Sequence, residues 1–293
     1  MRTTLFSLIA TAAAVTAAAG EGLVNVPVGC MRDEARHAAQ MVSQAVAGTP
    51  LEITDTVGEW LMVTTPDGYS GYMTAQSVTE RPLDEWRSAP RVIVTSPAGA
   101  TVTAGAANAV VVRLPLNSIL EAGADGSVMM PDGRSGMVTE GTVADFETLS
   151  ARDFDPQGVT STAFALMGAP YLWGGMSGAA MDCSGLVSLC YFANGMVIRR
   201  DAWMQSTDSA PLDHPEAPAD LIFFDRSGNG KIDHVAIHDR DGRYIHCSGM
   251  VKVNHLSAEQ GDTISGRVAG FGRPQPGRGL TPVSLHPAYF NQR

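Results

Sequence analysis

An eight-residue motif occurs twice in this chain at an offset of 65 residues. Pro66-Asp67-Gly68-Tyr69-Ser70-Gly71-Tyr72-Met73 returns as Pro131-Asp132-Gly133-Arg134-Ser135-Gly136-Met137-Val138, with five of eight positions identical. Each copy follows a β-rich run, Trp60-Leu61-Met62-Val63 in the first and Ser127-Val128-Met129-Met130 in the second. Asp-Gly after such a run is a hairpin-turn signal. Val92-Ile93-Val94 and Val110-Val111-Val112 also read as strands. Two small β-barrels of roughly 60 residues each are the natural interpretation. The alternative is a pair of generic hairpins from unrelated sheets. Residues 81–90 join the copies, and residues 146–158 lead into a third unit.

The length of 293 residues exceeds what one core usually serves, so two or three domains are expected. Hydrophobic residues at 44% and charged residues at 17% fit a globular chain rather than a disordered one. The net charge of −10 disfavours a nucleic-acid binder, which needs a basic face, and disfavours docking on anionic lipid. Residues 1–19 read as a secretory signal peptide: Arg2, an apolar run from Leu5 to Val15, and Ala17-Ala18-Ala19 before Gly20. No later run is long enough to span a bilayer. The expectation is an exported protein of the periplasm or cell envelope. Four cysteines are too few for a disulfide scaffold, so each needs its own explanation.

The chemistry lies in the last unit. Tyr171-Leu172-Trp173-Gly174-Gly175 is followed by Met181-Asp182-Cys183-Ser184-Gly185. Leu186, Leu189, Cys190 and Ala193 then recur at helical spacing, with Asp182 or Ser184 as cap and Asn194-Gly195 as stop. Cys183 is thus expected at a helix N-terminus, where backbone N–H groups favour a nucleophilic thiolate. Cys190 falls on the apolar stripe and reads as a small buried hydrophobe. A thiolate needs an imidazole partner. His234-Val235-Ala236-Ile237-His238 and Tyr244-Ile245-His246-Cys247-Ser248 alternate as two strands around Arg240-Asp241-Gly242. A three-residue loop would pair His238 with Tyr244 and put His234 and His246 on one face. A two-residue loop would put them on opposite faces. In the first register His234 is a general base for Cys183 and His246 orients its ring, while His238 is a decoy on the same face.

These motifs, with the strand Ala219-Asp220-Leu221-Ile222-Phe223-Phe224, resemble the NlpC/P60 family of cell-wall cysteine peptidases, in which Ala219 stands where glycine is usual. The spacing agrees, with 51 residues from Cys183 to His234 and 12 from His234 to His246. The paired PDG-SG segments are similar to bacterial SH3 domains. The resemblance implies an α+β protein in which a papain-like NlpC/P60 catalytic domain follows two small SH3-like β-barrels. The boundaries are then 1–19 for the leader, 20–84 and 85–150 for the barrels, 151–275 for the catalytic domain and 276–293 for a tail of unassigned role. It also implies a Cys183–His234–His246 triad, with the Tyr171 hydroxyl and the Cys183 N–H aimed at the oxyanion. Trp173 would wall the pocket, and Asp182 and Ser184 would contact D-Glu.

The combination is similar to a narrower group, the γ-D-glutamyl-L-diamino-acid (dipeptidyl) peptidases, which process free muropeptides. In that group Asp201 of Arg199-Arg200-Asp201 would take the substrate's free amino terminus, with Tyr69 of the first barrel as a wall. Gln40 stands where an acidic residue is expected, and Glu34 is a candidate substitute. The implied partner is a peptidoglycan-derived peptide, L-Ala-γ-D-Glu-diamino acid, cut by a monomer that needs no cofactor. Rival readings are a D,L-endopeptidase or amidase on intact peptidoglycan and a non-catalytic wall-binding protein. Residues 225–233 mimic an EF-hand loop, but Ala236 occupies the position of the bidentate glutamate, so they read as a turn-rich loop. A zinc site from Cys183, His234 and His246 is conceivable by ligand type but lacks a Cys-x-x-Cys pair.

Overall fold

The computed structural model describes residues 20–105, 107, 109–257, 264 and 267–292. The expected leader, 1–19, lies outside the described residues. Seven strands come first: β1 (Gly20–Val24), β2 (Val28–Arg32), β3 (Met41–Val46), β4 (Pro50–Val57), β5 (Trp60–Thr64), β6 (Ser70–Thr74) and β7 (Val78–Glu80). After the short helix α1 (Asp84–Ser88) come β8 (Arg91–Val94), β9 (Ala100–Ala104), β10 (Ala109–Leu114), β11 (Ile119–Ala122), β12 (Val128–Met129), β13 (Ser135–Glu140) and β14 (Val143–Asp145). The first sheet runs β3-β2-β6-β5-β4-β1-β7 and the second β10-β9-β13-β12-β11-β8-β14, so the strand order itself is repeated. Each sheet curls around its own apolar cluster, Leu51, Leu61 and Met73 in one, Val102, Leu120 and Met130 in the other.

The repeated motif is the hairpin β5–β6 in one barrel and β12–β13 in the other. In both turns the aspartate accepts from the backbone N–H two residues on, Tyr69 N at 3.1 Å from Asp67 and Arg134 N at 3.1 Å from Asp132. The following Gly68 and Gly133 sit at φ 77° and 85°, a region that glycine enters without a Cβ clash.

The remaining unit contains α2 (Phe146–Ser150), α3 (Pro156–Ala165), β15 (Met176–Ser177), β16 (Ala180–Met181), α4 (Cys183–Phe192), β17 (Met196–Ile198), α5 (Ala202–Asp208) and β18 (Ala210–Leu212). It continues through β19 (Leu221–Phe224), β20 (His234–Arg240), β21 (Arg243–Ser248), β22 (Met250–His255), β23 (Val268–Arg273), β24 (Gln275–Pro276) and β25 (Gly279–Pro282). An antiparallel sheet, β18-β23-β19-β20-β21-β22, carries α3 and α4 on the face formed by Leu221, Phe223, Val235, Ile237, Ile245 and Cys247. Ile222, Phe224, Ala236 and Tyr244 form a second cluster on the opposite face. Buried on both faces, β19 reads as an unbroken apolar run rather than an alternation. Ala219, just before it, has φ 66°, which accounts for the usual preference for glycine there.

The hairpin β20–β21 reaches the expected pairing by a different route. Its loop is two residues, Asp241 and Gly242, both at positive φ. That loop alone would separate His234 from His246. A bulge at Asp239 restores the register, and His238 faces Tyr244.

The tail 276–293 is a structural element, not an appendage. β25 pairs with β17, and the His286 ring nitrogen Nε2 meets the Pro66 carbonyl at 2.9 Å. Tyr289, 4% exposed, packs on Phe146 and Phe192 at 5.7 and 5.4 Å between ring centroids. Buried Arg91 of the second barrel donates to the Tyr289 carbonyl at 2.8 Å, and its guanidinium lies over the Trp86, Phe146 and Phe290 rings. The last residues therefore tie both barrels to the helical layer. Replacing Tyr289 with Ala should lower stability by about 3–5 kcal/mol in denaturant unfolding. Leu285→Ala, on a residue 66% exposed, should change it by less than about 0.5 kcal/mol.

Candidate active site

Asp182 is the N-cap of α4, and its Oδ1 accepts from Gly185 N at 2.7 Å. This fixes Cys183 as the first residue of the helix. Gly185 is required there for space, because a Cβ would stand 2.2 Å from the Gly175 carbonyl oxygen. The glycines of the two motifs are thus one close contact. Asp182 also accepts from Gly174 N through Oδ2, at 3.0 Å.

Arg200 completes this arrangement. Its guanidinium, in a residue 1% exposed, reaches Asp182 Oδ1 at 3.0 Å and Oδ2 at 2.7 Å, and Ser184 Oγ at 2.9 Å. Its Nε donates to Ser43 Oγ of the first barrel at 2.9 Å. Burial alone would lower the Arg200 pKa, but Asp182 outweighs it and the net shift is upward. Gln44, next to Ser43, accepts from Met176 N at 3.0 Å. From the second barrel, Asn117 donates to the Leu189 carbonyl in α4 at 3.1 Å. Both barrels therefore hold the helix that carries Cys183.

His234 Nε2 and His246 Nδ1 are 2.8 Å apart, with the rings nearly perpendicular. Both side chains are buried against Phe224 and Tyr244. They share the sheet face turned away from α4, with Phe224, Ala236 and Tyr244. Among the described residues, His234 Nδ1 and His246 Nε2 have no hydrogen-bond partner. The Cys183 thiol lies by the backbone N–H of Val235 and of Ser184.

The surroundings of Cys183 work against the expected thiolate. Burial pushes the Cys183 thiol up to about 11, with the Asp182 charge adding to it, against the two N–H groups. Burial and the neighbouring His246 hold His234 well below the usual imidazole range. Burial, with Lys252, brings His246 down to about 4. Burial thus disfavours the charged form of all three groups. Cys190 is fully buried, and the Cys247 thiol faces the Met181 carbonyl at 3.2 Å on the α4 side of the sheet. The described cysteines are all free.

Cys183 opens into a pocket of about 430 Å³. Tyr69, Tyr171, Trp173 and Asp201 line it, as do Asp182 and Ser184. Burial raises the Tyr171 hydroxyl to about 12, with the Cys183 sulfur next in effect. Trp173 is 59% exposed at the rim, and Trp203 of α5 stands there at 53%. The Asp201 carboxylate makes no cap bond to α5 and no ion pair among the described residues. It lies against Trp203 and Tyr69, and burial raises its pKa, offset in part by Arg200.

Two sequence expectations change. Gln40 is exposed, gives its carbonyl to Asp33 N, and does not line the pocket. Glu34 is exposed and paired with Arg36. Asp182 and Ser184 border the pocket, but their polar atoms are engaged by Arg200, Gly185 and each other. They hold the start of α4 while remaining part of the pocket wall. Sequence reasoning missed Arg200, Ser43, Trp203 and Arg226. Only the Arg-Arg-Asp string hinted at the first. The EF-hand-like loop is closed on itself: Asp225 accepts from the N–H groups of Gly228, Asn229 and Gly230, and Asp233 from Arg226 and Ser227. Among the described residues, no three acidic, histidine or cysteine side chains are placed to hold a metal ion.

Residues 168–267 match the sequence profile of the NlpC/P60 family, and residues 31–78 that of the bacterial dipeptidyl-peptidase Sh3 domain. Gamma-D-glutamyl-L-lysine dipeptidyl-peptidase of Bacillus cereus is 28% identical over 231 residues, covering 72% of this chain and 68% of that protein. The protein of the same name from Bacillus subtilis is 41% identical over 91 residues, 30% of each chain. The crystal structure of an NlpC/P60 family protein from Bacillus cereus shares the fold, with a TM-score of 0.76 over 87% of this chain and 100% of that one, at 21% identity.

Because the Cys183 thiol sits near 11, its alkylation by iodoacetamide should rise about tenfold per pH unit across the neutral and mildly alkaline range. Mass spectrometry of the Cys183 peptide measures this. A rate already level at neutral pH would mean a resting thiolate and contradict the account.

Proposed function

We propose that this chain, an NlpC/P60-family cysteine hydrolase carrying a bacterial SH3 domain ahead of its catalytic unit, cuts the bond between γ-D-Glu and the diamino acid in muropeptides with a free L-Ala terminus. The observation that carries this reading is Asp201. Its half-buried carboxylate lacks an ion-pair partner among the described residues and shares a pocket with Cys183 and with Tyr69 of the first barrel. An α-ammonium there would gain a charge-assisted hydrogen bond that an N-acylated peptide cannot make. The barrel lies against that end of the pocket, which suits a short free peptide better than a polymer. The names of the two Bacillus relatives agree with the same bond class.

The chemistry follows from the neutral resting groups. The Cys183 sulfur attacks the γ-carbonyl carbon of D-Glu as its proton passes to His234 Nδ1, so charge develops only as the S–C bond forms. With Nδ1 as the base, His234 carries its ring proton on Nε2 and donates it to His246 Nδ1, which keeps the ring oriented. The Tyr171 hydroxyl and the Cys183 N–H receive the oxyanion. Collapse breaks the C–N bond, and the imidazolium returns its proton to the departing amine. A water then gives a proton to His234 and attacks the thioester, and the sulfur leaves and is reprotonated. Trp173 walls the bound peptide. We also propose export to the periplasm or envelope space through residues 1–19, where such peptides arise.

The test is a mass-spectrometric cleavage assay on L-Ala-γ-D-Glu-diaminopimelate and the same peptide capped with N-acetylmuramic acid. Wild type should cut the free peptide at least ~100-fold better than the capped one, and Cys183→Ala should cut neither. Asp201→Asn should lose most of the preference. Equal cutting of both peptides would favour an endopeptidase of intact peptidoglycan and overturn the free-terminus reading.

A further inference from the structure

Among the described residues lining the Cys183 pocket, Arg226 is the one cation. The other nearby guanidinium, Arg200, is sealed beneath Asp182 and Ser184. Arg226 stands on the loop that runs directly into His234, and its side chain is 38% exposed. Asp233 holds it from below: Asp233 Oδ1 accepts from Arg226 N at 3.0 Å and from Nε at 3.3 Å. The bond from Nη2 to the Asp233 carbonyl is long, 3.4 Å, and Nη1 makes none among the described residues. The outer edge of the guanidinium is therefore free, in a loop made rigid by the Asp225 and Asp233 bonds. A free, oriented edge of this kind matches a carboxylate with two parallel hydrogen bonds.

The position of the loop says which part of a substrate meets it. His234 must deliver a proton to the departing amine, so the diamino acid leaves beside His234. Residue 233 adjoins that histidine and residue 226 sits outward of it. A long side chain leaving the scissile amine would run along the loop to Arg226. Within the proposed reaction, on which this step rests, the two common diamino acids differ at that distance. The side chain of L-lysine ends in an ammonium alone. That of meso-diaminopimelate ends in a carbon bearing both ammonium and carboxylate.

We infer that Arg226, held by Asp233, is a specificity determinant that selects a diamino acid with a terminal side-chain carboxylate, meso-diaminopimelate, over L-lysine. Relatives named for L-lysine share the bond that is cut; the selection concerns what lies beyond it.

The experiment measures kcat/KM on three free tripeptides, L-Ala-γ-D-Glu joined to meso-diaminopimelate, to its side-chain carboxamide, or to L-lysine. Wild type should favour the carboxylate over both others by at least ~10-fold. In Arg226→Gln, verified as folded by its melting temperature, the ratios should collapse toward one. Arg226→Lys should keep part of the preference, since it retains charge without the fork. An equal fall on all three substrates would overturn the inference and assign Arg226 to a carboxylate common to them. Equal cutting by wild type, or preference for L-lysine, would overturn it while leaving the proposed reaction standing. No cutting of any tripeptide by wild type would overturn the reaction and this inference together.

Discussion

A guanidinium buried to 1% exposure between the first barrel and the unit that carries Cys183 is the interaction on which this architecture turns. Arg200 loses its hydration shell entirely, a cost of several kcal/mol that only full hydrogen bonding can offset. Asp182 supplies both oxygens, Ser184 one and Ser43 one. The same Asp182 caps α4 and also binds the Gly174 N–H. One carboxylate thus sets the start of the nucleophile helix, the path of the preceding loop and the seat of the first barrel. Barrel position and nucleophile position become a single structural variable, which is how Tyr69 comes to share a pocket with Cys183.

That burial has an electrostatic consequence. Asp182 is close enough to oppose a thiolate, and desolvation opposes it more. The imidazole pair is buried as well and kept neutral. The helix N-terminus, which by itself would favour an anion, is outweighed. In the proposed reaction, such a site would form charge only as the substrate carbonyl receives it. Neutral burial also links the histidines to folding. With a folded value near 4, below the ordinary 6.5, His246 contributes stability that is present above about pH 6.5 and lost as pH falls toward its folded value.

Local patterns were the legible part of the sequence. The PDG repeat announced two hairpins because an Asx-type turn and a glycine at positive φ are set within four residues. The cap of α4 was legible for the same reason. The face shared by His234 and His246 was anticipated, although through a loop of the wrong length; the bulge at Asp239 that rescues the register has no distinctive residue to announce it. Features made by distant partners were not legible. Ser43 and Arg200 are separated by 157 positions, and nothing in either neighbourhood marks the other. The tail read as unassigned because its partners, Arg91, Phe146 and Phe192, belong to three separate segments. Gln40 was placed by analogy alone, and its exposed position just before β3 keeps it out of the pocket.

Arg200 and Asp182 together hold the helix that begins at Cys183 against the first barrel. The most direct measurement is a double-mutant cycle in denaturant unfolding, with Arg200→Met, Asp182→Asn and the pair. The account predicts that Arg200→Met alone costs about 3–5 kcal/mol by leaving a buried carboxylate unpaired, and that adding Asp182→Asn recovers part of the loss. Independent, additive effects of under about 0.5 kcal/mol each would contradict it.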